Sequence, residues 1–269
     1  MKNLPYLMES DEETRRLDIK TDATQIENHA NWAGIKPGMR VADLGCGSGK
    51  TTFILHNIAQ PGGESVGIDI SKQRIKYAQQ KYKSAGLTFL IRDVRNSLDD
   101  LGKFDFVWIR FLLEYYQSTS SEIVRHIDSI LKPGGTMCLI DLDYNCLSHY
   151  GLSTKLEKAI KGILANLQDN HDFDPYAGRK LYSYLYDLSY YEIALRMDAH
   201  HLIYGDLSDI DKFNWYKKME AAGNHSGYNF KEYCGSYKEC LREFKEFFNN
   251  PRRLTYTPVF VCKGKKPTS

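Results

Sequence analysis

The chain carries a segment whose residue types and spacing could bind a charged cofactor. Residues 41–49 read Val-Ala-Asp-Leu-Gly-Cys-Gly-Ser-Gly, which places Asp43 before glycines at alternate positions. The apolar start predicts a strand, and the residues after the last glycine predict the opening of a helix. Glycines permit a positive φ and let a ligand approach the backbone without a Cβ in the way. Because the first N–H groups of a helix can bind a carboxylate or a phosphate, the segment predicts a site for a nucleotide-like cofactor.

Three kinds of cofactor compete for this turn. A dinucleotide fingerprint requires glycine or alanine at position 50, where this chain has Lys50. A phosphate-binding P-loop requires four residues between its first glycine and Gly-Lys-Thr, and only three separate Gly45 from Gly49. S-adenosylmethionine (SAM) carries an ammonium, which suits an aspartate at a strand end, and a carboxylate, which suits bare amides. Asp43 followed by alternating glycines therefore fits SAM best.

Residues 41–49 resemble the first motif of class I SAM-dependent methyltransferases, an acidic residue followed by x-G-x-G-x-G. The next segments of that family follow in order. Residues 64–71 predict a second strand that ends at Asp69, about 20 residues after the last glycine, where a carboxylate can accept hydrogen bonds from both ribose hydroxyls. Residues 87–94 predict a third strand that ends at Asp93, the position that faces the adenine amino group in this family.

Two later segments extend the resemblance. Residues 104–110 predict a fourth strand, and Lys-Pro-Gly-Gly at residues 132–135 precedes a fifth strand at residues 137–141. Any of these segments alone would be a weak signal, but all five in the right order and spacing are specific. The resemblance implies SAM as the cofactor and an α/β fold, a Rossmann-like seven-stranded, mostly parallel sheet with helices on both faces and helical additions over the substrate side. The residues expected to bind the cofactor are Asp43, Gly45, Cys46, Gly47, Gly49, Asp69, Ile70, Asp93, Val94, Arg110 and Tyr6.

The pattern of predicted elements divides the chain. Alternating strands and helices predict a parallel sheet with right-handed crossovers and assign residues 38–145 to the SAM-binding core. Two helical insertions, at 146–175 and 206–250, are expected over the carboxyl ends of the strands, where open α/β sheets bind ligands. The other assignments are an N-terminal helical arm at 1–37, a helical lid insertion at 146–175, a core helix with strand six at 176–205, a second helical insertion at 206–250, and strand seven with a tail at 251–269.

Candidate catalytic groups follow the fourth and fifth strands. Methyl transfer from a sulfonium mainly requires alignment of the nucleophile with the methyl carbon. A general base helps when the nucleophile is a phenol, a carboxylic acid or an acidified carbon. Glu114 is a candidate for this base, although a structural carboxylate at a helix start is an equal interpretation, and His149 is a second candidate. Asp141 and Asp143 alternate on one strand and do not by themselves form a metal site, so no metal is expected.

Composition limits the classes of partner. The 36 Lys and Arg residues nearly balance 34 Asp and Glu residues, and this net charge of +2 lacks the basic surplus typical of nucleic-acid binding. No apolar run approaches the roughly 18 residues of a membrane span, so a cytoplasmic protein without a membrane partner is expected. The 19 Tyr, 12 Phe and 3 Trp residues either pack helices or line a pocket for an aromatic or apolar small-molecule substrate. The oligomeric state stays open, with a homodimer possible.

The sequence favours a SAM-dependent methyltransferase that transfers a methyl group to an O-, C- or N-acceptor of a small organic molecule by in-line displacement. Its layout is similar to methyltransferases of quinone biosynthesis and of natural-product tailoring. One alternative is a protein or nucleic-acid methyltransferase, but residues 109–112 read Ile-Arg-Phe-Leu where amino-group nucleic-acid types carry Asn/Asp-Pro-Pro-Tyr. A second alternative is a non-catalytic SAM-binding subunit, which the intact cofactor loop disfavours.

Overall fold

The computed structural model describes residue 18 and residues 21–268. In this part of the chain, eight strands form one sheet. The strands are β1 (Arg40–Leu44), β2 (Glu64–Asp69), β3 (Leu87–Ile91), β4 (Phe104–Arg110), β5 (Leu131–Leu142), β6 (His149–Tyr150), β7 (Tyr191–Ile203) and β8 (Leu254–Lys265). The α-helices are α1 (Ala23–Ala33), α2 (Lys50–Ile58), α3 (Lys72–Lys81), α4 (Ser120–Asp128), α5 (Thr154–His171), α6 (Leu181–Asp187), α7 (Asp209–His225) and α8 (Tyr237–Asn249).

The sheet is wound outward from its centre. Its first five strands are parallel in the order β3-β2-β1-β4-β5, and β8 is antiparallel to β5. β7 pairs with β8, also antiparallel, and forms the far edge. The strand order reverses between β1 and β4, and ligands of open α/β sheets bind outside the carboxyl ends of the strands at such a point. This topology confirms the predicted Rossmann-like, mostly parallel sheet.

The predicted number of seven strands is wrong by one. His149 and Tyr150 form β6, which pairs with Thr255 and Leu254 of β8 beyond the end of β5. A strand of two residues is too short to produce the alternating pattern on which strand prediction depends. The sixth and seventh predicted strands are present as β7 and β8, and both are longer than their sequence patterns indicate.

Alternating side chains of the strands form a hydrophobic core on each face of the sheet. On one face, Ala42 and Leu44 of β1 pack in the same cluster as Val124 of α4 and Leu185 of α6. On the other face, Val41 belongs to a cluster that contains side chains of α1 and α2. The two cores fix β1 rigidly between helices, and the turn that follows β1 is positioned by both.

Helices α5, α7 and α8 form a third core, here called the helical cluster. Each of these helices begins after a serine (Ser153, Ser208 and Ser236) whose hydroxyl accepts a hydrogen bond from the N–H three residues later. Trp215 of α7 stacks on Phe248 of α8 with ring centroids 4.8 Å apart. The helices of the cluster thus come from both segments that the sequence assigns to insertions, and they meet each other through a core of their own.

Candidate active site

The turn between β1 and α2 is formed by glycines in the left-handed region. The φ angles of Gly45, Gly47 and Gly49 are 77°, 54° and 84°, and residues with a Cβ rarely adopt such values. Gly45 and Gly47 line a cavity of about 190 Å³. Gly49 is instead packed beneath α3, since a Cβ there would lie 2.6 Å from the Cβ of Ala78. The third glycine therefore shapes the turn, and the first two leave room for a ligand.

This cavity, here called the first cavity, brings together most of the predicted cofactor residues at the carboxyl ends of the parallel strands. Gly49 and Asp93 do not belong to its lining, and Tyr6 lies outside the described residues. Glu114, one of the two predicted catalytic residues, does line it. The cofactor candidates that line the cavity are Asp43, Gly45, Cys46, Gly47, Asp69, Ile70, Val94 and Arg110.

Asp69 joins the end of β2 to the glycine turn. Its Oδ2 accepts a hydrogen bond from the Gly47 N–H at 2.9 Å, and its Oδ1 accepts one from the Ser71 N–H at 2.9 Å. A carboxylate has about four acceptor positions, so these two bonds leave capacity for a ligand's hydroxyl groups. The side chain is thus held rigidly at the cavity wall and can still accept hydrogen bonds from a ligand.

Asp93 has a different partner from the one that the resemblance implies. Its carboxylate is bound by the Arg95 guanidinium through both oxygens, with a closest distance of 2.6 Å. Burial alone would raise the pKa of Asp93, but the hydrogen bonds and charge of Arg95 outweigh it and hold the pKa below its usual range. The neighbouring Val94 lines the cavity in its place. An arginine two residues after an acid is the sequence signal for this pairing.

Asp43, which is buried, and Arg110, which is partly exposed, both line the cavity and attract each other electrostatically. The Asp43 carboxylate accepts a hydrogen bond from the Thr52 hydroxyl at 2.6 Å, and burial raises its pKa to about 7. Burial also lowers the pKa of Arg110 to about 10, although Asp43 and Asp141 favour its charged form. An acid and a guanidinium on one cavity wall are complementary to a ligand that carries both an ammonium and a carboxylate.

Glu114 lies on a short turn, Leu113–Tyr115, directly after β4. Its N–H donates to Asp141 Oδ2 at 3.1 Å, and its Oε2 accepts a hydrogen bond from Asn145 Nδ2 at 2.8 Å. Burial and the neighbouring Glu114 raise the pKa of Asp141 well above its usual range. The two acids are therefore parts of one buried polar network at the ends of β4 and β5, and Glu114 fixes the orientation of the Asn145 amide.

His149, the second predicted catalytic residue, lies in β6 against the helical cluster. Its Nε2 faces the Cys146 carbonyl at 3.1 Å and must carry the proton, because a carbonyl only accepts hydrogen bonds. Its Nδ1 then accepts from the Thr255 hydroxyl at 2.9 Å. Burial lowers the pKa of His149 to about 4. Both ring nitrogens are therefore occupied, and the ring packs edge-on against Trp215.

A second cavity of about 110 Å³, here called the apolar cavity, adjoins the first within the helical cluster. Tyr115, Asn145 and Lys218 line both cavities and form the boundary between them. Sequence analysis did not single out these three residues, because nothing in the local pattern of α7 indicates that Lys218 reaches the ends of β4 and β5. The larger apolar side chains of the second cavity are Ile160, Ile163, Leu164, Leu167, Phe173, Trp215, Met219 and Phe244.

The structure describes the side chains and helices of residue 18 and residues 21–268. Within these residues, no group of three or more His, Cys, Asp and Glu side chains is arranged to hold a metal ion. No helix in the same part of the chain combines the length and the apolar character needed to cross a lipid bilayer.

The fold and the site together define a Rossmann-like domain with a glycine-lined cavity at the strand ends and an adjoining apolar cavity. A family model described as a methyltransferase domain matches residues 35–223. The match covers most of the chain, so the protein belongs to this methyltransferase family, and the resemblance seen in the sequence is confirmed. The match includes the glycine turn, all five parallel strands and most of α7.

Named relatives are similar over a shorter region. The chain is 32% identical over 129 residues to a ubiquinone biosynthesis O-methyltransferase of Chromobacterium violaceum, a match that covers 46% of this chain and 51% of the relative. It is 26% identical over 135 residues to a demethylmenaquinone methyltransferase of Bacillus cytotoxicus, covering 46% of this chain and 56% of that relative. The chain thus spans about half the length of the curated relatives it matches.

The fold is also similar to that of a solved structure, a phosphoethanolamine N-methyltransferase 2 of Haemonchus contortus in complex with phosphomonomethylethanolamine and S-adenosylhomocysteine. The TM-score is 0.54, and the superposition covers 91% of this chain and 52% of that chain. The sequence identity is 15%, so the likeness concerns the fold alone.

Proposed function

We propose that this protein is a SAM-dependent methyltransferase that acts on a small organic molecule with an apolar or aromatic body. The observation that carries the proposal is the pair of adjoining cavities, one polar and glycine-lined, the other apolar. They meet at Tyr115, Asn145 and Lys218, where a transferred group would pass from one ligand to the other. Similarity to quinone-biosynthesis methyltransferases supports the same class of reaction.

The first cavity fits the chemistry of SAM. Asp43 and the glycine turn suit the ammonium and carboxylate of the methionyl end, with Arg110 as a further cation. Asp69 has acceptor capacity for the ribose hydroxyls, and the side chains of Ile70 and Val94 offer an apolar slot for the adenine. Bound SAM supplies an electrophilic methyl group on a sulfonium. Binding of S-adenosylhomocysteine by the Haemonchus contortus enzyme of the same fold is consistent with this assignment.

The residues of this chain would contribute mainly alignment and exclusion of water. Two ligands held in adjoining cavities react as if their effective concentration were very high, which lowers the barrier without acid or base chemistry. The Asn145 amide lies at the boundary and can orient an acceptor, and Glu114, which holds that amide and lines the first cavity, is the candidate base. His149 has no free ring nitrogen for this task, so we assign it a structural role.

Titration calorimetry of the protein with SAM and with S-adenosylhomocysteine tests the cofactor assignment. Gly47→Val should abolish binding of both ligands. The branched side chain would occupy space in the first cavity, and the positive φ at this position is unfavourable for valine. Gly62→Val is the matched control, since Gly62 also has a positive φ of 81° but lies outside the first-cavity lining. Absence of binding to both ligands by the wild-type protein would refute the proposal.

Release of S-adenosylhomocysteine in the presence of a panel of phenols, quinols, carboxylic acids and amines tests turnover. Binding of SAM without release for any member of the panel would favour a non-catalytic SAM-binding subunit. Release that depends on an added acceptor, and that is lost in Gly47→Val but kept in Gly62→Val, would support methyl transfer in the first cavity.

A further inference from the structure

Lys218 is the feature of the site that the proposed function leaves unexplained. It extends from α7 to the boundary of the two cavities, with its Nζ 3.3 Å from Asn145 Oδ1 and 3.8 Å from Cys146 Sγ. Its ammonium also lies 5.1 Å from the centroid of the Trp215 ring. These neighbours are neutral, and no carboxylate of the described residues pairs with the Lys218 ammonium.

The surroundings of Lys218 carry no compensating charge on the side of the apolar cavity. Lys218 is the one charged residue in the described lining of that cavity. His149, which also lines it, is neutral at physiological pH because burial lowers its pKa to about 4. A partly buried cation normally has an anionic partner, since taking a charge out of water is costly. The missing partner is then expected from a ligand.

The Asn145 amide is oriented consistently with this expectation. Its Nδ2 donates to Glu114, which turns its Oδ1 toward the Lys218 ammonium. The Asn145 amide therefore connects the Glu114 carboxylate at one end with the Lys218 ammonium at the other, and Lys218 is the charged donor of this network that lines the apolar cavity. An anionic group of a ligand in the apolar cavity would contact Lys218 and not Glu114, because Glu114 lines the first cavity only.

We propose that the methyl acceptor is an amphipathic acid, with an apolar body in the apolar cavity and an ionised oxygen, a carboxylate or a phenolate, bound to Lys218. This assignment rests on the proposed methyltransferase function. An ionised oxygen needs no general base: its lone pair forms the O–CH3 bond while the electron pair of the S–CH3 bond stays on sulfur. The anion and the sulfonium become a neutral ester or ether and a thioether, and no proton moves. This balance agrees with a site in which His149 is unavailable as a base.

Binding of matched acids and neutral analogues to the protein without SAM tests the assignment. The carboxylate arm uses para-hexylbenzoate and para-hexylbenzamide, and the phenolate arm uses pentafluorophenolate and pentafluoroanisole. Titration calorimetry measures affinity for the wild type, Lys218→Met, Lys218→Arg and the control Lys217→Met. Lys217 neighbours Lys218 on α7 but pairs with Glu220 at 3.4 Å, and it does not line either cavity.

We expect the wild type to bind at least one acid about 10- to 100-fold more tightly than its neutral analogue, as for a charge-assisted hydrogen bond. Lys218→Met should remove this preference and leave the affinity for the neutral analogue unchanged. Lys218→Arg should retain part of it, and Lys217→Met should retain all of it. The arm with the larger preference identifies the oxygen as a carboxylate or a phenolate.

Equal affinities for acid and neutral analogue in both arms would overturn the assignment. So would a Lys218→Met variant that loses affinity for SAM by the same factor, because Lys218 would then serve the carboxylate of the cofactor. The proposed function fails separately, through absence of SAM binding. The protein could prefer acids through Lys218 and yet bind no SAM. That result would support the anion-binding site at Lys218 and refute methyl transfer from SAM.

Discussion

Asp69 and Asp93 follow neighbouring strands, yet only Asp69 has acceptor capacity directed at the first cavity. The Asp69 oxygens accept two backbone N–H groups, whereas the Asp93 carboxylate is bound through both oxygens to Arg95. Asp69→Asn should therefore weaken SAM binding by about 10- to 100-fold, since it removes a charged acceptor for the ribose hydroxyls. Asp93→Asn should change it by less than about threefold. Titration calorimetry with SAM measures both.

Thermal unfolding of each variant serves as the control that the variant is folded. Asp69→Asn also removes a tie between β2 and the glycine turn, so its S-adenosylhomocysteine affinity should be measured in parallel, because that ligand has the same ribose. A larger loss for Asp93→Asn than for Asp69→Asn would mean that Asp93 leaves Arg95 and contacts the adenine when the ligand binds.

His149 should make folding stability depend on pH. Burial holds its folded-state pKa near 4, below the usual 6.5, so the unfolded chain takes up the proton first as pH falls. The contribution of His149 to the free energy of unfolding is complete above pH 6.5 and is lost as the pH falls toward 4. The free energy of unfolding of the wild type should therefore fall by about 2 kcal/mol more than that of His149→Gln over this range. Urea unfolding at a series of pH values checks this, and parallel curves for the two proteins would contradict it.

Local sequence predicts a residue's role when its partners are close in the chain. Asp43 and the alternating glycines are of this kind, because strand, turn and helix follow one another within residues 40–58. Lys218 is of the opposite kind, since its position at the site depends on how α7 packs in the helical cluster. The same holds for His149, whose hydrogen bond to Thr255 requires the pairing of β6 with β8.

At the scale of elements, α5, α7 and α8 of the helical cluster line the apolar cavity, which meets the first cavity at Tyr115, Asn145 and Lys218. Helices that line a cavity have fewer packing contacts than the central strands of the sheet, and elements with fewer packing contacts open locally at lower free energy. Amide exchange in α5, α7 and α8 should therefore be faster than in β1 and β4 in the free protein, and it should slow when SAM and an apolar acid are bound. Hydrogen exchange followed by mass spectrometry measures this. Equal protection of cluster and sheet, with no response to ligands, would identify the cluster as rigid structural support.

Elements with a strong local pattern were predictable, and those that depend on pairing were not. The five parallel strands are short apolar runs bounded by turns, and they appear in the predicted order. The Lys-Pro-Gly-Gly segment was expected to precede the fifth strand, but β5 already starts at Leu131, with an irregular register against β4 between Phe104 and Phe106. β5 starts before the turn because Leu131 pairs with Phe104 of β4, a contact that the turn sequence alone does not reveal.

At the scale of the whole molecule, we infer that the sheet and the helical cluster are separable units of stability. Phe248 is fully buried in the cluster, with its ring 4.7 Å from that of Phe244, and Phe106 is fully buried in the sheet. Truncation of a buried phenylalanine to alanine costs about 3–5 kcal/mol. Phe248→Ala should lower the opening free energy of the cluster by this amount and abolish binding of apolar acids, while SAM affinity changes little. Phe106→Ala should destabilise the sheet and weaken SAM binding as well.

Comparison of Phe248→Ala with Phe106→Ala shows whether the sheet and the helical cluster unfold as one cooperative unit or as two. The lining of the first cavity, where we propose that SAM binds, comes almost entirely from strand ends and their loops, and among the described residues Lys218 is the one contribution of the helical cluster. A cluster that opens by itself therefore leaves the cofactor cavity formed and removes only the apolar one. Residue-resolved hydrogen exchange should then show faster exchange in α5, α7 and α8 of Phe248→Ala, with β1 and β4 as protected as in the wild type. Equal loss of protection in cluster and sheet would mean that the two cores unfold together, and SAM affinity would then fall with the stability of the whole chain.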